Sequence, residues 1–275
     1  MKRAVWRAGA AITLFLVLIF GGRGTAVSAS PPTKVTVGVR TQYREAYDVL
    51  KRVNKIRRSA GLKPLQMDRT LLGNALTRAL ECSVYYSHRR ANGKAWYTAI
   101  TKDYICAGEN IGFGYSDAKS ITEAWMTSPS HRKNIMDSRY TCVGISCVVV
   151  DGVTYWAQEF TDGRAKRRSR PGEKKKEMKI AASGDILYVK QARERFTMEE
   201  GESGRVFLYL KNVGCDGLSV RVAASGAKYT TSDKSVVAVT SGGRIRAVGE
   251  GRASIKVRLA GNAGICMIYK ITVAG

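Results

Sequence analysis

The chain is poor in histidine and in acidic residues. Its 275 residues hold two histidines, His88 and His131, so any imidazole chemistry rests on those two positions. Asp and Glu number 22 against 46 Lys and Arg, a formal net charge of +24. That imbalance predicts polyanionic partners: nucleic acid, anionic cell-wall polymers or anionic lipids. Long apolar runs are scarce too. Ala10 to Phe20 is short for a bilayer-spanning helix. Lys2, Arg3 and Arg7 precede it and Val27-Ser28-Ala29 follows, so residues 1–29 read as a cleavable secretory signal. An uncleaved N-terminal anchor is the alternative. No cysteine follows the run, which argues against a lipid anchor. Export takes nucleic acid off the list of partners and leaves no transmembrane segment in the mature chain.

Other absences narrow the chemistry. None of the cysteines at 82, 106, 142, 147, 215 and 266 forms a CxxC pair. An even number in an exported chain suggests disulfides, with free thiols as the alternative. Cys215 and Cys266 are expected to pair with each other in the last domain. The connectivity among Cys82, Cys106, Cys142 and Cys147 stays open. Gly112-Phe113-Gly114 lacks the Lys-Ser/Thr of a phosphate loop. No Ser-His-Asp triad can be assembled from motifs.

What is present is a helical segment followed by strands. Hydrophobic residues make up 44%, enough for a packed core. Residues 30–40, with Pro31-Pro32, read as a flexible lead-in. Ala46, Val49, Leu50, Val53 and Ile56 give a helical period over Tyr43 to Ala60, stopped at Gly61. Asp68 reads as the N-cap of a second helix with Leu72, Ala75, Leu76, Ala79, Ser83 and Tyr86 on one face; His88 falls at its end or just past it. Asp117 to Ser128 reads as a third helix, with Ser128 on the inward face of Ile121 and Trp125. Val143–Val150 and Val153–Phe160 form a hairpin around Asp151-Gly152. Residues 164–179 hold nine Lys or Arg and two Glu and read as an extended linker, either a plain spacer or a polyanion tether. From about Asp185 the pattern is all-β.

Tyr86-Ser87-His88, Gly108-Glu109-Asn110, Trp125 to Ile135 and Tyr155 to Phe160 occur in an order that resembles the CAP superfamily (cysteine-rich secretory proteins, antigen 5, pathogenesis-related proteins), and its bacterial SCP-like branch in particular. Residues 229–257, with Ser232-Asp233 before Val237-Ala238-Val239 and with Gly249-Glu250-Gly251, resemble a bacterial Ig-like domain of group 2. The resemblances imply an α+β chain: a CAP α-β-α sandwich at 41–163, a basic linker at 164–182 and an all-β Ig-like sandwich at 183–275. The CAP resemblance places His88, Glu109 and His131 in one pocket, where some members of the family bind a divalent metal such as zinc. The family's second glutamate is replaced here by Ser128, expected to line the same pocket, so a bound ion would be weak and exchangeable. The function implied is binding rather than catalysis: a secreted or wall-associated protein taking a lipid, glycan, peptide or wall component, with the Ig-like domain as adhesive or spacer. A metal-dependent hydrolase of peptide or wall material and a structural surface protein are the alternatives.

Overall fold

The computed structural model describes residues 31–166 and 169–275. The expected signal, residues 1–29, lies outside the described residues. Among the described residues, no helix is long and apolar enough to cross a membrane.

The first half is built on one sheet. Its strands are β1 (Thr33–Thr41), β2 (Gln66–Met67), β3 (Ala107–Phe113), β4 (Cys142–Val150), β5 (Val153–Thr161) and β6 (Lys175–Ala182). They run in the order β3-β5-β4-β1-β6, with the short β2 beside β4. Asp151 (φ 46) and Gly152 (φ 82) close the β4–β5 hairpin; positive φ at both central residues matches the right-handed twist of the strands. Four helices cover the sheet: α1 (Tyr43–Ser59), α2 (Arg69–Glu81), α3 (Ala118–Thr127) and α4 (Pro129–Met136). Asp68 caps α2, its side chain accepting from the Thr70 and Leu71 N–H groups.

Strand alternation sorts the helices between two faces. Val143, Ile145, Trp156 and Phe160 pack with Ala46 and Val53 of α1, Trp125 of α3 and Ile135 of α4. Val148, Val150, Tyr155 and Ala157 share a core with Ala75 and Ala79 of α2. This is the α-β-α arrangement. Gly144 permits the tightest approach, because a Cβ there would lie 2.0 Å from the Leu71 carbonyl oxygen of α2.

Two segments expected to be irregular are strands. The lead-in at 30–40 is mostly β1, and the second half of the linker at 164–182 is β6. They pair antiparallel from Thr33↔Ala182 to Arg40↔Lys175. Val35, Val37 and Val39 point inward and are buried, while the lysines of β6 stay exposed. Alternation therefore satisfies both the core and the charge run, and self-repulsion does not extend the chain. The helices also differ in detail. Asp117 caps α3, but a separate α4 begins at Pro129, which suits the first helical turn. Tyr86 lies beyond the end of α2.

The second half is all-β: β7 (Arg193–Glu199), β8 (Ser203–Arg205), β9 (Tyr209–Lys211), β10 (Ser219–Arg221), β11 (Ala227–Thr231), β12 (Val237–Val239), β13 (Arg244–Ala247), β14 (Gly251–Leu259) and β15 (Asn262–Ala274). A four-stranded sheet β11-β14-β15-β7 and a three-stranded sheet β12-β13-β8 share buried residues such as Val237, Ile245, Ile255 and Val257. That core continues into the first half through Leu208, Val222, Val37 and Ala79, and residues 31–275 form one compact unit.

The expected Cys215–Cys266 disulfide is not formed; all six cysteines are free. Cys215 is buried in the β9–β10 turn. Cys266 lies on β15 opposite Arg258 of β14. The turn that holds Cys215 packs against the Cys82 segment, where Asn212 donates to the Cys82 carbonyl oxygen, whereas Cys266 is held in the β14–β15 ladder, so flanking the same motif in sequence does not bring them together.

Candidate functional site

The site forms where the sheet ends. β3 is an edge strand, and its alternating residues look to opposite faces. Glu109 and Ile111 turn toward α2, where Ile111 joins the core around Ala75. Gly108 turns the other way, close under Asn134 of α4 and Tyr140. A cleft of about 450 Å³ opens over this edge, lined by residues that include His88, Trp96, Glu109, Ser130, His131 and Lys133.

Two amides stitch α4 to the edge. Asn134 Nδ2 donates to the Glu109 carbonyl oxygen (3.0 Å) and to Asn110 Oδ1 (2.9 Å). Asn110 Nδ2 donates to the His131 carbonyl oxygen (3.2 Å) and to Gln158 Oε1 (3.0 Å). His131 thus sits in the first turn of a short helix pinned to the sheet edge. Burial and the neighbouring His88 lower its pKa, so its imidazole is neutral at neutral pH.

Glu109 is the centre of a charge cluster. His88 Nδ1 lies 2.8 Å from Glu109 Oε1. Arg78 Nε donates to Glu109 Oε2 (2.5 Å) and Arg78 Nη2 to Oε1 (3.2 Å). Arg78 is fully buried and also donates to Glu81 Oε2 (2.6 Å) and the Ser87 carbonyl oxygen (2.7 Å). Arg90 completes the chain on Glu81 Oε1 (2.7 Å). Burial alone would push the Glu109 carboxyl up, but His88 and Arg78 outweigh it and hold it below the ordinary value of 4.5.

Beside Glu109 lies a second carboxyl. Glu159 of β5 is the direct register partner of Glu109 and is fully buried. Neither of its oxygens meets an N–H or O–H donor among the described residues. Burial first, and the Glu109 charge second, hold its pKa well above the ordinary value of 4.5. Two buried carboxylates this close cannot both be charged. Arg78 and His88 pair with Glu109, so Glu159, with no such partner, is the one of the two whose neutral form burial favours.

The structure thus brings His88, Glu109 and His131 to one cleft. Ser128 is not among its lining residues; it ends α3, with its hydroxyl 3.3 Å from that of Ser130, which does line the cleft. The donor set does not fit a divalent metal. Both Glu109 oxygens are already taken by Arg78 and His88, and the guanidinium puts a fixed positive charge beside the place a cation would occupy. Among the described residues, no three His, Cys, Asp or Glu side chains are grouped to hold a metal ion. Nor, among them, does a serine or cysteine side chain hydrogen-bond to either imidazole.

Sequence reasoning missed Arg78, Glu81, Arg90 and Glu159. A signal existed for two of them. Arg78 stands three residues after Ala75 and seven after Leu71, a charge inside an apolar helical stripe. Glu159 follows Tyr155 and Ala157 at alternate positions of a strand, on its α2-facing side.

Comparison with known proteins bears on residues 50–160, which match the family model described as CAP, cysteine-rich secretory protein family. The chain is 32% identical over 117 residues to the uncharacterized protein YkwD of Bacillus subtilis (strain 168), covering 41% of this chain and 45% of that one. It is 30% identical over 117 residues to the uncharacterized membrane protein YlbC of the same strain, covering 41% and 33%. The match thus spans less than half the length of either relative. Among solved structures, it is similar to an extracellular protein containing a SCP domain from Bacillus anthracis str. Ames, at 24% identity and TM-score 0.40 over 44% of this chain and 41% of that one. It is also similar to a cysteine-rich secretory protein from Staphylococcus aureus subsp. aureus Mu50, at 20% identity and TM-score 0.36 over 44% and 38%. What these comparisons show is that residues 50–160 of this chain match the model of the cysteine-rich secretory protein (CAP) family.

Proposed function

We propose that this chain works outside the cytoplasm as a binding protein whose CAP domain takes an anionic polymer of the cell envelope in the His88–His131 cleft. The observation that carries this reading is the charge arrangement of the cleft. Its one buried carboxylate, Glu109, is already neutralised from below by Arg78. The groups left to meet a ligand include the two imidazoles, Trp96, Lys133 and hydrogen-bonding side chains such as Ser130, while the lining Asp137 carboxylate is paired with Arg139 (2.6 Å). Such a lining suits charged, hydrated groups better than an acyl chain. The net charge of +24 supports attraction over a longer range, and exposed lysines of β6 add to it. We read the all-β half as a bacterial Ig-like domain. Asp233 Oδ1 accepts from the Ser235 N–H (2.8 Å) in the turn before β12, and Gly249-Glu250-Gly251 lies where β13 passes to β14, as the motif requires.

Co-sedimentation with isolated cell walls tests the reading. Wild type is expected to sediment with walls at low salt and to be released at high salt. Lys133→Glu with Arg139→Glu, both lining the cleft, is expected to weaken binding about tenfold or more, on roughly 1 kcal/mol per basic residue near an anionic surface. Lys175→Glu with Lys176→Glu, on β6, is expected to weaken it less. No low-salt binding, or binding that ignores the cleft pair, would reject the proposal.

A further inference from the structure

His88 lies seven residues beyond the end of α2, outside any helix or strand. The backbone that leads to it is held from two sides. The CAP domain supplies Arg78 on the Ser87 carbonyl oxygen (2.7 Å) and the edge-on contact of the Tyr86 and Phe113 rings. The all-β half supplies the rest through the turn between β9 and β10. The Tyr86 N–H donates to the Val213 carbonyl oxygen (2.8 Å), and the Val213 N–H donates to the Val84 carbonyl oxygen (3.1 Å). Tyr85 and Val213 thereby form a parallel bridge. Asn212, itself buried, donates through Nδ2 to the Cys82 carbonyl oxygen (3.0 Å) and to the Tyr155 hydroxyl (3.2 Å). Gly214 presses closest: a Cβ at this residue would lie 2.3 Å from the Tyr86 carbonyl oxygen.

We infer that this turn, residues 212–215, is a positioning element of the cleft, fixing the 82–87 backbone and through it the place of His88. The all-β half is then part of the binding apparatus rather than a spacer. The importance of the cleft rests on the function proposed above; the mechanical claim does not. Backbone hydrogen bonds at both Val84 and Tyr86 leave that stretch little freedom to slide, and Glu109 can meet His88 Nδ1 only where the stretch ends correctly.

Two glycines of the same turn give the test. Gly214 (φ +92) and Gly217 (φ +78) both hold left-handed backbone, so an alanine at either is strained. A Cβ at 217 meets nothing within 4 Å, whereas at 214 it collides with Tyr86. Gly217→Ala therefore reports strain alone, and Gly214→Ala reports strain plus a push on the His88 segment. Asn212→Ser removes two hydrogen bonds without a clash and decides the matter if Gly214→Ala does not fold. With two histidines in the chain, ring NMR signals can be assigned with a His131→Gln variant. Gly214→Ala and Asn212→Ser are expected to shift the His88 ring signals and leave those of His131 in place. Gly217→Ala is expected to leave both. The inference is overturned if folded Gly214→Ala or Asn212→Ser matches Gly217→Ala at His88, or if either moves both histidines equally. Should wild type fail to bind walls while His88 still responds in this way, the proposed function falls and the positioning role stands.

Discussion

Replacing Arg78 by Met is expected to cost about 3–5 kcal/mol of stability at pH 7, the usual penalty for removing one partner of a buried ion pair. Arg78 is fully buried, and its guanidinium serves Glu109, Glu81 and the Ser87 carbonyl oxygen together. Glu81 retains Arg90, but Glu109 retains only His88, with the Glu159 carboxyl at its other side. Pairing holds the folded Glu109 pKa below its ordinary 4.5. That contribution is present above about 4.5 and is lost as pH falls through the folded value. The deficit of the variant should therefore be widest near neutrality and should narrow in acid. Urea unfolding at several pH values measures it. A loss under about 1 kcal/mol at pH 7 would place Arg78 among ordinary surface pairs and dissolve the cluster.

The second large effect has the opposite sign. Glu159→Gln is expected to stabilise the protein at neutral and alkaline pH. Burial and the Glu109 charge hold the folded Glu159 pKa well above its ordinary 4.5. The native state then keeps a proton that the unfolded chain gives up. Its stabilising share is complete below about 4.5 and drains away as pH rises toward the folded value, at about 1.4 kcal/mol for each unit of difference. Glutamine cannot ionise and keeps a side chain of nearly the same size opposite Glu109. The melting temperatures of wild type and Glu159→Gln should meet at about pH 4 and separate as pH rises, with the variant higher. Parallel behaviour across that range would show that Glu159 holds no proton at neutral pH.

Much of this was written plainly in the sequence. Asp68 before an apolar helical stripe marked α2, Asp117 marked α3, and Asp151-Gly152 marked the hairpin, because caps and turns are local chemistry. β1 was hidden beside Pro31-Pro32, although Val35, Val37 and Val39 alternate. β6 was hidden by its lysines, which face solvent while Ile180 and Ala182 face inward. Both strands exist because each pairs with the other across more than a hundred residues, which local pattern cannot reveal. His88, Glu109 and His131 were legible as a set through motif order. Their meaning was not. The spacing that suggested a metal said nothing of Arg78, which reaches Glu109 from another element and fills the electrostatic role a cation would have had.

The central claim, that the His88–His131 cleft receives an anionic ligand, is tested most directly by titrating the folded wild type with a soluble anionic wall polymer at low salt while following the two histidine ring signals. Both are expected to move together, to saturate, and to return when salt is raised. Polymer that binds the protein while both histidines stay fixed would put recognition elsewhere on the basic surface and contradict the claim.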